Sequence, residues 1–112
     1  MYKGKDTPEQ ALVVDTKAGL VVITGCAHPG IVNMLNIISK HFSDKQLYAV
    51  LGGFHLINKS PSVLNVIVDT FKDMGIKKAG PTHCTGSEAE EIFRRNYKDS
   101  FICMDAGMIL DI

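Results

Sequence analysis

Three of the four histidines stand three residues after a glycine: Gly25-Cys26-Ala27-His28, Gly52-Gly53-Phe54-His55 and Gly80-Pro81-Thr82-His83. With ten glycines in the chain, three such G-x-x-H coincidences would arise by chance well under ~1% of the time if positions were independent. Neutral imidazole is the commonest protein ligand for zinc, iron and related ions. Three of them delivered to one place would hold a divalent metal. Cys26 lies two residues before His28, and Cys84 directly follows His83. A Cys₂His₂ zinc site is therefore a second metal reading, but the usual C-x₂₋₄-C and H-x₃₋₅-H knuckles are absent. Cys26 and Cys84 read better as small packing groups or groups behind the ligands. The plain alternative is that each histidine caps a helix or bonds a carbonyl in an ordinary loop. His41 has no glycine partner and reads as a surface residue of a helix.

These loops need elements to present them. Ala11–Val14 and Leu20–Thr24 read as two strands joined by a turn at Lys17-Ala18-Gly19. Ile31, Met34, Leu35, Ile38 and Phe42 recur at helical spacing, and Leu47–Leu51 is an apolar strand. Ser60-Pro61 opens a second helix, whose apolar face is expected to be Val63, Val66, Ile67, Thr70, Phe71 and Met74, with Gly75 ending it. A short strand at Ile76–Ala79 follows. Ser87-Glu88-Ala89-Glu90 has the spacing of a capping box and opens a third helix running to about Tyr97. Phe101–Met104 and Met108–Leu110 are expected to form a closing hairpin around Asp105-Ala106-Gly107. The order is β-β-α-β-α-β-α-β-β, an α/β (α+β) arrangement in one domain over residues 1–112, with residues 1–9 a polar leading segment.

Strand direction supplies the convergence. Right-handed β-α-β crossovers keep successive strands parallel, so every strand-to-helix loop emerges at one edge. Open α/β sheets bind ligands at that edge. Glycine ahead of each histidine is expected to let the backbone turn sharply there. No Asp or Glu stands beside any of the three loops, so a general base is lacking; Asp15 and Asp105 read as turn residues. A self-sufficient His₃ site remains an open alternative.

Twelve basic residues balance twelve acidic ones, leaving no electrostatic footprint for nucleic acid or an anionic membrane surface. No apolar run approaches a bilayer span, and the first residues lack a signal-peptide core, so a cytoplasmic location is expected. Three widely spaced cysteines do not build a disulfide framework.

Several strings resemble the metallo-β-lactamase superfamily: Ala11–Thr16, the run GLVVITGCAHPGIVN from Gly19 to Asn33, Gly52-Gly53-Phe54-His55-Leu56, and Pro81-Thr82-His83-Cys84-Thr85-Gly86. The subgroup most similar is that of small metal-dependent hydrolases labelled dihydropterin–ribofuranosylaminobenzene phosphate synthases. The resemblance runs over about residues 9–112 and covers only the C-terminal half of that family's αββα sandwich. It implies a divalent metal, zinc or else iron or manganese, and hydrolysis of an ester, amide or phosphoester of a small molecule. His28 and His83 match histidines of the family's metal-binding motifs. His55 stands where the family usually supplies a bridging aspartate, which is a departure. The family's H-x-H-x-D-H string is absent, so the metal site would be completed elsewhere and the chain alone would be inactive. The rival expectation is a non-catalytic binding or assembly module with a structural metal or none.

If all three helices lie on one face, the other is expected to be bare and apolar. The N-terminal half of the same fold, or a second copy, would cover it. Sedimentation at micromolar concentration is expected to show a dimer or larger species, and a compact monomer would contradict this.

Overall fold

A computed structural model describes residues 2–3, 8–9, 11–25, 27, 30–82 and 85–102. Two short strands, β1 (Tyr2–Lys3) and β2 (Pro8–Glu9), pair antiparallel, so the leading segment carries a small ribbon. The main sheet has the order β3-β4-β5-β6. β3 (Ala11–Thr16) and β4 (Gly19–Thr24) form an antiparallel hairpin. β5 (Leu47–Gly52) and β6 (Lys78–Pro81) then add in parallel. The helices α1 (Ile31–His41), α2 (Pro61–Asp73) and α3 (Ser87–Tyr97) each follow a parallel strand. The expected mixed α/β order is borne out over this stretch. The closing hairpin beyond Ile102 falls outside the described residues. Phe101 itself bridges in parallel to Ala79.

One sheet face carries all three helices. Leu20, Val22, Val50 and Ala79 meet Ile31, Met34 and Leu35 of α1, Leu64, Val68 and Phe71 of α2, and Ala89, Ile92 and Phe93 of α3 in one core. Its centre is aromatic: Phe54, Phe71 and Phe93 have ring centroids 5.1–5.5 Å apart, and Tyr97 stacks on Phe93. Such pairs add about 0.5–1.5 kcal/mol each beyond the area they bury.

Three expectations need correction. α2 buries Leu64, Val68 and Phe71, whereas Val63 and Val66 are exposed, 43% and 64%. A run of branched apolar residues broken only by Asn65 fits more than one face, and packing chose the face one residue on. α3 has no capping box: Gly86 is the N-cap, without a side-chain bond, and Ser87 is already helical. Glu88 and Glu90 still place negative charge at the helix's positive end. The far sheet face is not bare. Val21, Ala49 and Leu51 are buried there with Ile102, whose N–H donates to the Ala79 carbonyl at 2.8 Å. Leu12, Val14 and Ile23, toward the β3 edge, are the exposed part of that face.

Tyr97 closes the base of the core by donating its hydroxyl to the Ile76 carbonyl at 3.0 Å. Burial pushes its phenol well above the ordinary range. The folded state thus keeps a proton that the unfolded state releases at about pH 10. Stability is expected to fall above that pH by about 1.4 kcal/mol per unit, and Tyr97→Phe to lack this component. Urea unfolding between pH 8 and 12 checks both.

Candidate functional site

The three strand-to-helix segments leave the sheet side by side, and backbone hydrogen bonds lace them together. Gly53 N donates to Gly25 O at 2.8 Å, joining the first loop to the second. Thr82 N donates to Gly52 O at 2.8 Å, joining the second to the third. Two buried hydroxyls reinforce this. Thr24 Oγ1 donates to Gly53 O at 2.8 Å, and Phe54 N donates to Thr85 Oγ1 at 3.0 Å. Apart from these two threonines, no polar or charged residue is buried among the described residues. Buried backbone groups must find partners, and here the loops satisfy each other.

The structure brings the three G-x-x-H segments to one sheet edge. Of the predicted site residues it describes His55, which is exposed. His28, His83, Cys26 and Cys84 lie outside the described residues. Their neighbours Ala27, Gly30, Thr82 and Thr85 fix where the chain enters and leaves those positions. Among the described residues no three His, Cys, Asp or Glu side chains cluster. His41 is an exposed residue near the end of α1, its ring edge-on to Phe42.

The glycines do not play equal parts. Gly52 demands the residue: its φ is +114°, and an added Cβ would overlap the Thr24 carbonyl oxygen. Gly25 has open space around it, and Gly80 sits inside β6. Nor do the histidines share a register. Thr24, Gly52 and Pro81 are aligned neighbours across the sheet, so His28, His55 and His83 come four, three and two residues beyond that row. Three non-glycine residues of these segments, Ala27 (φ 58°), His55 (φ 52°) and Asn58 (φ 66°), adopt the left-handed region that L side chains rarely occupy. Non-glycine residues held there are strained, and such strain gathers at functional sites.

His55 borders a cleft of about 330 Å³ between the N-terminal ends of α1 and α2, lined also by Asn33, Phe54, Lys59, Val63 and Ile67. Lys59 and Asn33 are polar members of this lining, and Val63 and Ile67 are apolar ones. Among the described residues no Asp or Glu lines this cleft. Sequence reasoning found the histidines but not Thr24 or Thr85. A threonine at the end of an apolar strand, and another two residues after His83, were the available signals.

The comparisons with known proteins fit this geometry. The solved structure of Tm1679, a metal-dependent hydrolase of the β-lactamase superfamily, superposes with a TM-score of 0.87 at 42% identity, covering 95% of this chain and 41% of that one. The chain has the fold of a β-lactamase-superfamily metal-dependent hydrolase. It is also 38% identical over 102 residues to a 7,8-dihydropterin-6-methyl-4-(beta-D-ribofuranosyl)-aminobenzene-5'-phosphate synthase of Methanocaldococcus jannaschii, spanning 91% of this chain and 35% of that protein. An uncharacterized protein of the same archaeon is 37% identical over 92 residues, 82% of this chain and 34% of its own length. No protein-family model matches. The chain thus spans roughly a third to two-fifths of the length of these relatives.

Because Gly52 is confined and Gly25 is not, alanine at Gly52 is expected to cost about 3 kcal/mol or more, while Gly25→Ala stays within about 0.5 kcal/mol. Urea unfolding of the two variants measures the difference.

Proposed function

We propose that this chain is the C-terminal portion of a metal-dependent hydrolase of the metallo-β-lactamase superfamily, contributing His28, His83 and His55 to a divalent metal site. The observation that carries this reading is the hydrogen-bonded lacing of the three histidine-bearing segments at one sheet edge. As a donor set, imidazoles on adjacent loops with Cys26 and Cys84 beside them suit zinc best, with iron or manganese as alternatives. The remaining ligands come from an H-x-H-x-D-H portion, which would also cover Leu12, Val14 and Ile23 on the far sheet face. A second copy is the other candidate for that cover. The extra length of the relatives supports the first.

A divalent ion in this site would supply Lewis acidity toward a water and a substrate oxygen, the chemistry of ester and phosphoester hydrolysis. The chain's own residues provide the rest. Lys59 and Asn33 offer a cation and an amide beside His55, to bind and orient a polar small molecule, and Val63 and Ile67 add apolar surface to the same cleft. No helix among the described residues is long and apolar enough to cross a membrane. One observation favours the rival reading, a non-catalytic binding or assembly module: among the described residues no carboxylate lines the cleft to accept a proton.

Calorimetric titration with zinc is expected to show His28→Ala and His83→Ala weakened about tenfold or more, with His41→Ala unchanged. Equal affinities would overturn the ligand assignment. Mixing the chain with the H-x-H-x-D-H portion of a relative is expected to yield metal-dependent phosphodiester hydrolysis that neither part shows alone. A mixture that binds metal but does not hydrolyse would support the binding module.

A further inference from the structure

We infer that the Thr85 hydroxyl is a positioning group for the metal site, fixing the backbone that leads into His55; this rests on the ligand reading above. The geometry is a bracket. On one side of His83, Thr82 N donates to Gly52 O at 2.8 Å. On the other, Thr85 Oγ1 accepts from Phe54 N at 3.0 Å. Residues 82 and 85 thus pin residues 52 and 54, three and one positions before His55. Thr85 N also donates to Thr82 O at 2.9 Å, which ties the two ends of the bracket to each other. Gly86 then lets the third segment press against Ile57, whose Cα would lie 3.1 Å from an added Cβ.

Thr85 is fully buried, where an isosteric valine would fill the same volume. What the hydroxyl adds is an acceptor for one amide, and that amide belongs to the residue before His55. The Phe54 side chain is fixed on its other side by the Phe71 and Phe93 rings. With its ring held in the core and its N–H held by Thr85, Phe54 leaves His55 little freedom, and the φ of +52° at His55 reflects that confinement. The effect on the metal is through position, since Thr85 acts on a ligand's backbone.

The test is a cobalt titration of the full chain, read by visible absorption and by the histidine ring resonances in NMR. Thr85→Val, Thr85→Ser and the remote core truncation Val68→Ala are compared with the wild type. Thr85→Val is expected to bind cobalt about tenfold more weakly, the lower end of what losing a group behind a ligand costs. Thr85→Ser, which keeps the acceptor, is expected to stay within about twofold of the wild type. Val68→Ala is expected to lower thermal stability without changing affinity. Unchanged affinity in Thr85→Val, or an equal loss in Val68→Ala, overturns the positioning role while leaving the ligand assignment intact. A wild-type chain with neither cobalt absorption nor shifted histidine resonances removes the ligand assignment and this inference with it. Should Thr85→Val not fold, amide exchange at Phe54 in the wild type decides: protection like that of the strand amides upholds the bracket, and exchange at the rate of an open loop overturns it.

Discussion

Strand-to-helix turns at the carboxyl edge of a parallel sheet leave backbone donors and acceptors with no ladder to join. Here that deficit is met between loops, not within each one. Gly53 reaches back to Gly25, Thr82 to Gly52, and Phe54 to Thr85. Every other feature of the site depends on this mutual satisfaction. It makes three separate crossovers into a single rim, and it explains why the two buried polar side chains of the described core, Thr24 and Thr85, both sit there. A buried hydroxyl without a partner is costly, so each threonine commits the loop it touches to one arrangement.

The core below the rim holds the arrangement in place. Phe54 belongs to both: its N–H is part of the rim and its ring part of the aromatic group with Phe71 and Phe93. Strain at the rim, such as the left-handed backbone of Ala27 and His55, is borne by packing on α1, α2 and α3. The fold therefore couples helix packing to the placement of a solvent-facing imidazole.

Much of this was legible in the residues. Strand and helix order followed from periodicity, because long apolar runs and Pro–Gly punctuation leave few readings, and the G-x-x-H repeat marked the loops whose described parts bond to one another. The face of α2 was not legible, since Val63, Leu64, Val66, Ile67 and Val68 allow two stripes and only contact with Phe71 and the sheet selects one. The repeat also suggested equal roles for three glycines, but Gly52 is confined by the Thr24 carbonyl whereas Gly25 has open space around it. The cap of α3 misled for a similar reason. Ser87 has the right spacing, yet Gly86 at φ +103° already makes the turn. The covering of Val21 and Leu51 by Ile102 is a non-local contact that no short window of sequence reveals.

The hairpin strand β3 is an outer strand of its sheet, with Leu12 and Val14 exposed along it. Six extended residues whose outer amides and carbonyls pair with no strand among the described residues form a template onto which a foreign strand can zip. Asp15, tied to Lys45 at 3.2 Å, is the charged residue within this strand. A charge on an edge strand discourages such pairing, so that carboxylate guards a flank lined by aliphatic side chains.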